Sequence, residues 1–253
     1  FDEGDLSPYC RALSERMAAV YVNYFNSLNL RHPKAGQPLQ ITIKRGGSGA
    51  AYLKEVLEQS ATKFLKKLEQ KELSIKTSVN DYIHGNYQYL KYDISTKSMI
   101  QMHGIDKSRW LSWDGSRATI SAIDDMLENY LTRMKMCPAF DDLNLIQAEN
   151  QLFGTSEVDR MHFNTELASE MAELESEFPS ETCKYFGEYD KIKGDMALAK
   201  RKYLINPLNY IGTGEKCTLA PHFRIRVGSR DADTSLTVTM ILALKLMKTG
   251  KTD

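Results

Sequence analysis

A chain of 253 residues has room for one large domain or two small ones, and 42% hydrophobic with 26% charged residues is ordinary for a globular protein. Its 33 basic and 33 acidic residues cancel, which leaves no positive excess to displace counterions from a nucleic acid. The cysteines Cys10, Cys137, Cys183 and Cys217 form no C-x-x-C pair, so they read as free thiols rather than as a zinc site or redox dithiol.

In chain order, Ser7-Pro8 predicts an N-cap and first turn for a helix over 8–28, with Leu13, Met17, Val20, Tyr21, Tyr24 and Leu28 on one face. Leu39–Lys44 alternates like a short strand and is followed by Gly46-Gly-Ser-Gly49. A second helix is expected over 50–71, with Leu53, Leu57, Phe64, Leu65 and Leu68 inward. Its Lys63–Lys71 stretch mixes both signs and reads as a solvated face. Residues 72–119 carry little periodicity, apart from Trp113-Asp-Gly115 as a tight turn between two short strands. A third helix is predicted over 120–134, then a loop to Gly154, then acidic helices over 156–177 and 187–202 broken by Asn206-Pro207. Phe223–Val227 alternates as a strand does, and Thr234–Met247 forms an apolar helix. A single parallel strand cannot satisfy its own backbone, so its neighbours are expected from other sequence or another chain. No membrane-length apolar run and no signal peptide is visible. The chain opens on Phe1 rather than methionine, so its natural N-terminus is expected upstream, and its compartment stays open.

Several constellations could carry chemistry. Ser48, in Gly46-Gly-Ser-Gly-Ala50, sits where a nucleophile elbow would, but Ala50 replaces the last glycine of G-x-S-x-G. The alternative is a loop serine that caps the following helix. Asp231 and Asp233 lie just past the expected strand end, where α/β folds place catalytic groups, and either could instead cap the helix after them. Lys135 and Glu149 taken alone read as surface charges. His32, His84, His103, His162 and His222 make no metal-ligand spacing, and none follows Asp231. No metal or cofactor is implied.

Read together, five segments resemble one family: Tyr24–Leu30, Arg133-Met-Lys-Met-Cys-Pro-Ala-Phe-Asp141, Glu149-Asn-Gln-Leu-Phe-Gly154, Asn206-Pro-Leu-Asn-Tyr-Ile211 and Arg224–Ser235. In that order they are similar to the lid and late core of bacterial tannases, the tannin acyl hydrolases. The resemblance runs from about Ser7 to the end and is loose over 72–119. It implies an α/β-hydrolase fold, with residues 1–205 as a mainly helical lid and 206–253 as a late core segment holding a strand–loop–helix of the parallel sheet. It further implies cleavage of gallate-type phenolic esters by a Ser-His-Asp triad, with Asp231 as triad acid and Lys135, Glu149 and Asp233 binding the galloyl hydroxyls. The serine and histidine are then expected outside these residues, and the implied partners are a small phenolic ester and the remaining hydrolase core. Val227, Ala232 and Met136-Cys137 depart from the family pattern, which leaves a feruloyl or general carboxylesterase as an alternative. A non-catalytic helical interaction module is a second alternative, in which the charged residues would not converge.

Overall fold

The computed structural model describes residues 7–44, 46–93, 95–104, 109–129, 140–212, 218–228, 231 and 234–250. They form two compact units: one of 1–48, 135–226 and 237–253, the other of 49–134 and 227–236.

The first unit is helical. Helix α1, Pro8–Ser27, starts as the sequence predicts: Ser7 Oγ accepts from Cys10 N at 3.2 Å and Pro8 opens the first turn. Tyr9 and Leu13 of α1 are buried against α6 (Thr165–Glu173), α7 (Pro179–Asp190) and α8 (Met196–Ile205), through Leu167, Met171, Tyr189 and Leu198. Arg16 reinforces the α1–α6 contact with an ion pair to Glu170 at 3.3 Å. The expected helices over 156–177 and 187–202 are shorter and differently divided. Asn164 caps α6 by accepting from Leu167 N, and Gly194 (φ +77°) turns the chain so that Asp195 caps α8 through Ala197 N and Leu198 N. The break at Asn206-Pro207 stands where the sequence places it, with α8 ending at Ile205. In place of the strand expected over 39–44 the chain makes an irregular loop. Leu39 N donates to Leu30 O, and the Asn26 amide holds Ile41 through both its N–H and its carbonyl. Helix α9, Leu236–Lys248, buries Met240, Ile241, Leu244 and Leu246, and Tyr21 of α1 donates to Thr237 Oγ1 at 2.6 Å.

The second unit holds α2, Ser48–Glu69, two β-hairpins and short helices. Leu65 and Leu68 join Leu111, Ala118, Ile120 and Met126 in its core. Strands β3 (Leu111–Trp113) and β4 (Ala118–Ile120) pair antiparallel around the predicted Asp114-Gly115 turn. Asp114 Oδ1 accepts from Ser116 N and Arg117 N at 2.7 and 2.8 Å, while Gly115 takes φ +94°. The second hairpin, β1 (Gln88–Asp93) with β2 (Ser98–His103), and helix α3 (Val79–Ile83) fall in the stretch the sequence left unread. Helix α4 spans Ile123–Asn129.

Residues 223–227, expected as a strand, are irregular, and both sheets among the described residues are antiparallel pairs. The reason is that an isolated segment has no neighbour to complete its ladder. No helix among the described residues is long and apolar enough to cross a membrane. Among the described residues no cluster of His, Cys, Asp or Glu could hold a metal, and Cys10 is a free thiol.

Candidate functional site

Glu149 lies in the first turn of α5, Ala148–Leu152, a single short turn of helix whose N-cap residue, Gln147, makes no side-chain cap bond. Such a helix has little intrinsic stability, so its position must be set by tertiary contacts. The contact at its centre is Asn150, which is wholly buried. Its Nδ2 donates to Asp141 Oδ1 at 3.0 Å and to Met161 O at 3.2 Å, and its backbone carbonyl accepts from Met161 N at 3.1 Å, while the side-chain Oδ1 is buried with no hydrogen-bond partner among the described residues.

Asp141 is the hub, with only 2% of its surface exposed. His162 Nδ1 sits 2.6 Å from Oδ1, and Phe163 N and Asn164 N donate to Oδ2 at 2.9 and 2.7 Å. Its backbone carbonyl accepts from Tyr189 OH at 3.0 Å, and the Tyr189 ring stacks on His162 with centroids 3.9 Å apart. A carboxylate shut away from water costs several kcal/mol unless its lone pairs are occupied, and here four donors occupy them. No lysine or arginine among the described residues pairs with it. Beyond α5, Phe153 stacks on Phe163 at 4.3 Å, and Arg201 of α8 donates to Phe153 O and Gly154 O at 2.7 and 2.8 Å. Gly154 is required there, since a Cβ would stand 2.4 Å from Asp159 O.

Asp231 belongs to the second unit, in the turn that leads into α9. Its N–H donates to Gly228 O at 3.2 Å, and Oδ1 accepts from Thr234 N at 2.8 Å. This bond closes a turn ahead of α9, whose first residue is Leu236, so Asp231 is not that helix's N-cap. Lys135 and Asp233 lie outside the described residues. Glu149 and Asp231 are each placed within their own unit.

Ser48 reads as a loop tie rather than a nucleophile. Its hydroxyl donates to Pro38 O at 2.8 Å and accepts from Gln40 N at 3.0 Å. Gly47 (φ +100°) makes the approach possible, because a Cβ would meet Gln40 O at 2.4 Å.

Sequence reasoning missed Asp141, Asn150 and the partnership of His162. Two of the three stand in motifs that carry the family resemblance: Asp141 closes Arg133–Asp141, and Asn150 follows Glu149.

No protein-family model and no curated protein matches the chain. Its structure is similar to the tannase from Lactobacillus plantarum, with 26% identity and a TM-score of 0.67, covering 99% of this chain and 42% of that one. A tannin acyl hydrolase in complex with ethyl gallate is similar at 26% identity and a TM-score of 0.66, again over 99% of this chain and 42% of that one. The tannase of Fusobacterium nucleatum, at 24% identity, shares the fold with a TM-score of 0.62 over 98% of this chain and 42% of that one. The resemblance to tannases read from the motifs is therefore present in the three-dimensional structure, and with the mixed helix and strand content it fits an α/β-type fold. The chain spans about 42% of the length of the tannases it resembles.

Proposed function

We propose that this chain is part of a tannase-type carboxylic ester hydrolase that cleaves gallate-type phenolic esters by a Ser-His-Asp mechanism. The observation that carries this reading is the likeness over 99% of the chain to a tannin acyl hydrolase that holds ethyl gallate. Residues 1–205 then serve as the lid, 206–253 as a late segment of the hydrolase core, and the nucleophilic serine and the histidine come from outside these residues.

Asp231 is the triad acid in this reading. Its task is to fix the tautomer of the histidine and to stabilise the imidazolium formed as the serine proton is taken up. The Thr234 N–H bound to Oδ1 holds the carboxylate in one orientation, which suits that task. Lys135, Glu149 and Asp233 bind the galloyl hydroxyls: a phenol both donates and accepts, and a mixed cation–carboxylate set offers both partners. A site of that kind rejects esters without hydroxyls, because its polar groups would be left unpaired.

The test compares methyl gallate with methyl benzoate on the full-length protein. Preference for the gallate is expected, and equal rates on both would reject the tannase reading in favour of a general carboxylesterase. Asp231→Asn should lower kcat by roughly 10⁴-fold, as loss of the correct histidine tautomer does in serine hydrolases. An activity unchanged by that substitution would remove Asp231 from the mechanism.

A further inference from the structure

We infer that Asp141, Asn150 and His162 form a positioning cluster for Glu149, so that the selectivity of the ester site is set by buried residues that never touch substrate. The inference rests on the proposed role of Glu149 in binding phenolic hydroxyls.

The argument starts from α5. It is five residues long, lacks a side-chain N-cap bond, and presents Glu149 one residue before Asn150. A hydrogen bond to a phenol demands placement within a few tenths of an ångström, which a helix of this length cannot provide by itself. The side chain of Asn150 supplies it: both amide protons are used, one on Asp141 and one on Met161 O. Asp141 is held in turn by His162, Phe163 N and Asn164 N of the segment 162–164. Asn164 caps α6, and Tyr189 of α7 bonds the Asp141 carbonyl while stacking on His162. The backbone that carries Glu149 is thus tied through one carboxylate to two long-range helices of the unit's core. A purely structural device would need only the hydrophobic packing already supplied by Phe153 and its neighbours. The polar cluster instead fixes direction, since hydrogen bonds constrain angle as well as distance.

The experiment uses the full-length protein with methyl gallate and methyl benzoate, and the variants Glu149→Gln, Asn150→Ala, His162→Ala and His162→Asn. Asn150→Ala and His162→Ala should raise KM for methyl gallate about tenfold, the scale of one misplaced hydrogen bond to a charged group. They should leave kcat within about twofold and KM for methyl benzoate unchanged, because only the hydroxyl contacts are lost. His162→Asn, whose amide nitrogen takes the place of Nδ1, should bring the gallate KM most of the way back. Should Asn150→Ala fail to fold, Asn150→Ser is scored by the same comparison. Gallate KM values that stay at the wild-type level, or that move in parallel for both esters, overturn the inference. If Glu149→Gln lowers the gallate preference while Asn150→Ala does not, the positioning role alone fails. If Glu149→Gln changes nothing, the reading of Glu149 fails and this inference with it.

Discussion

Among the described residues each of the two units buries one carboxylate, and they satisfy it by opposite means. Asp141 in the first unit is sealed from water and held by two backbone N–H groups, an asparagine amide and a histidine. Glu58 in the second, 8% exposed, takes one backbone N–H, from Ile120 at 3.1 Å, and two cations, Arg117 at 3.0 Å and Lys54 at 3.9 Å. The difference follows from access to water. Arg117 has 66% of its side chain exposed, so its charge stays hydrated while it reaches Glu58, whereas a lysine or arginine drawn into the Asp141 site would have to be desolvated as well. Backbone and amide N–H dipoles, with the His162 ring, do the same work in the interior without drawing in a lysine or arginine. A clamp made of dipoles is directional and insensitive to salt; one made of exposed cations is neither.

The largest test of that contrast is Asp141→Ala, which strands four donors in a dry site. It should destabilise the first unit by about 3–5 kcal/mol in urea unfolding. A loss no larger than that of a surface substitution would erase the distinction between the units. Glu58→Ala should cost about 1–3 kcal/mol, since the Ile120 N–H loses its acceptor while Arg117 and Lys54 return to water. Arg117→Ala should cost at most about 1 kcal/mol, and most of that should vanish at high salt, where the Asp141 network should be unaffected. A salt dependence of equal size in the two units would contradict the scheme.

The smallest effect is expected at the hairpin tips. Backbone N–H groups of Arg117 and Ser116 hold the exposed Asp114 carboxyl below its ordinary 3.8, and the Ser95 hydroxyl followed by the Thr96 N–H does the same for Asp93. A carboxyl depressed in the folded state adds stability above its unfolded pKa, and that contribution fades as pH falls through the folded value. Both turns should therefore keep their order at neutral pH and loosen only below about pH 3.8. Following the Ser116 and Thr96 amide resonances through an acid titration checks this, and loosening already near neutral pH would count against it.

Much of the fold was legible locally. Ser7-Pro8, Asn206-Pro207 and Asp114-Gly115 each act over three or four residues, and the structure places a helix start, a helix end and a turn there. The misreadings share one cause. Alternation over 39–44 and 223–227 predicts strands only where a neighbouring strand is present, and none pairs with them among the described residues. The reverse error hid β1 and β2, whose outward face carries Leu90, Tyr92 and Met99, all more than half exposed, so no polar–apolar alternation marks them. For the site, the motifs pointed to Glu149 and Asp231, while Ser48 carried an elbow-like spacing that its bonds to Pro38 and Gln40 explain otherwise.

The sequence by itself determined where α1, α2 and α9 lie, the hairpin turn at Asp114, the balance of charge and the likeness to tannases, because caps, periodicity and ordered motifs are properties of the chain. Only the tertiary structure decided that Asp141 is a sealed acceptor and Glu58 a cation-paired one. Their partners lie 9 to 23 residues away for Asp141, and 59 and 62 for the Arg117 and Ile120 bonds to Glu58. Whether a carboxylate is hydrated, ion-paired or enclosed depends on what folds back over it, and no local pattern encodes that.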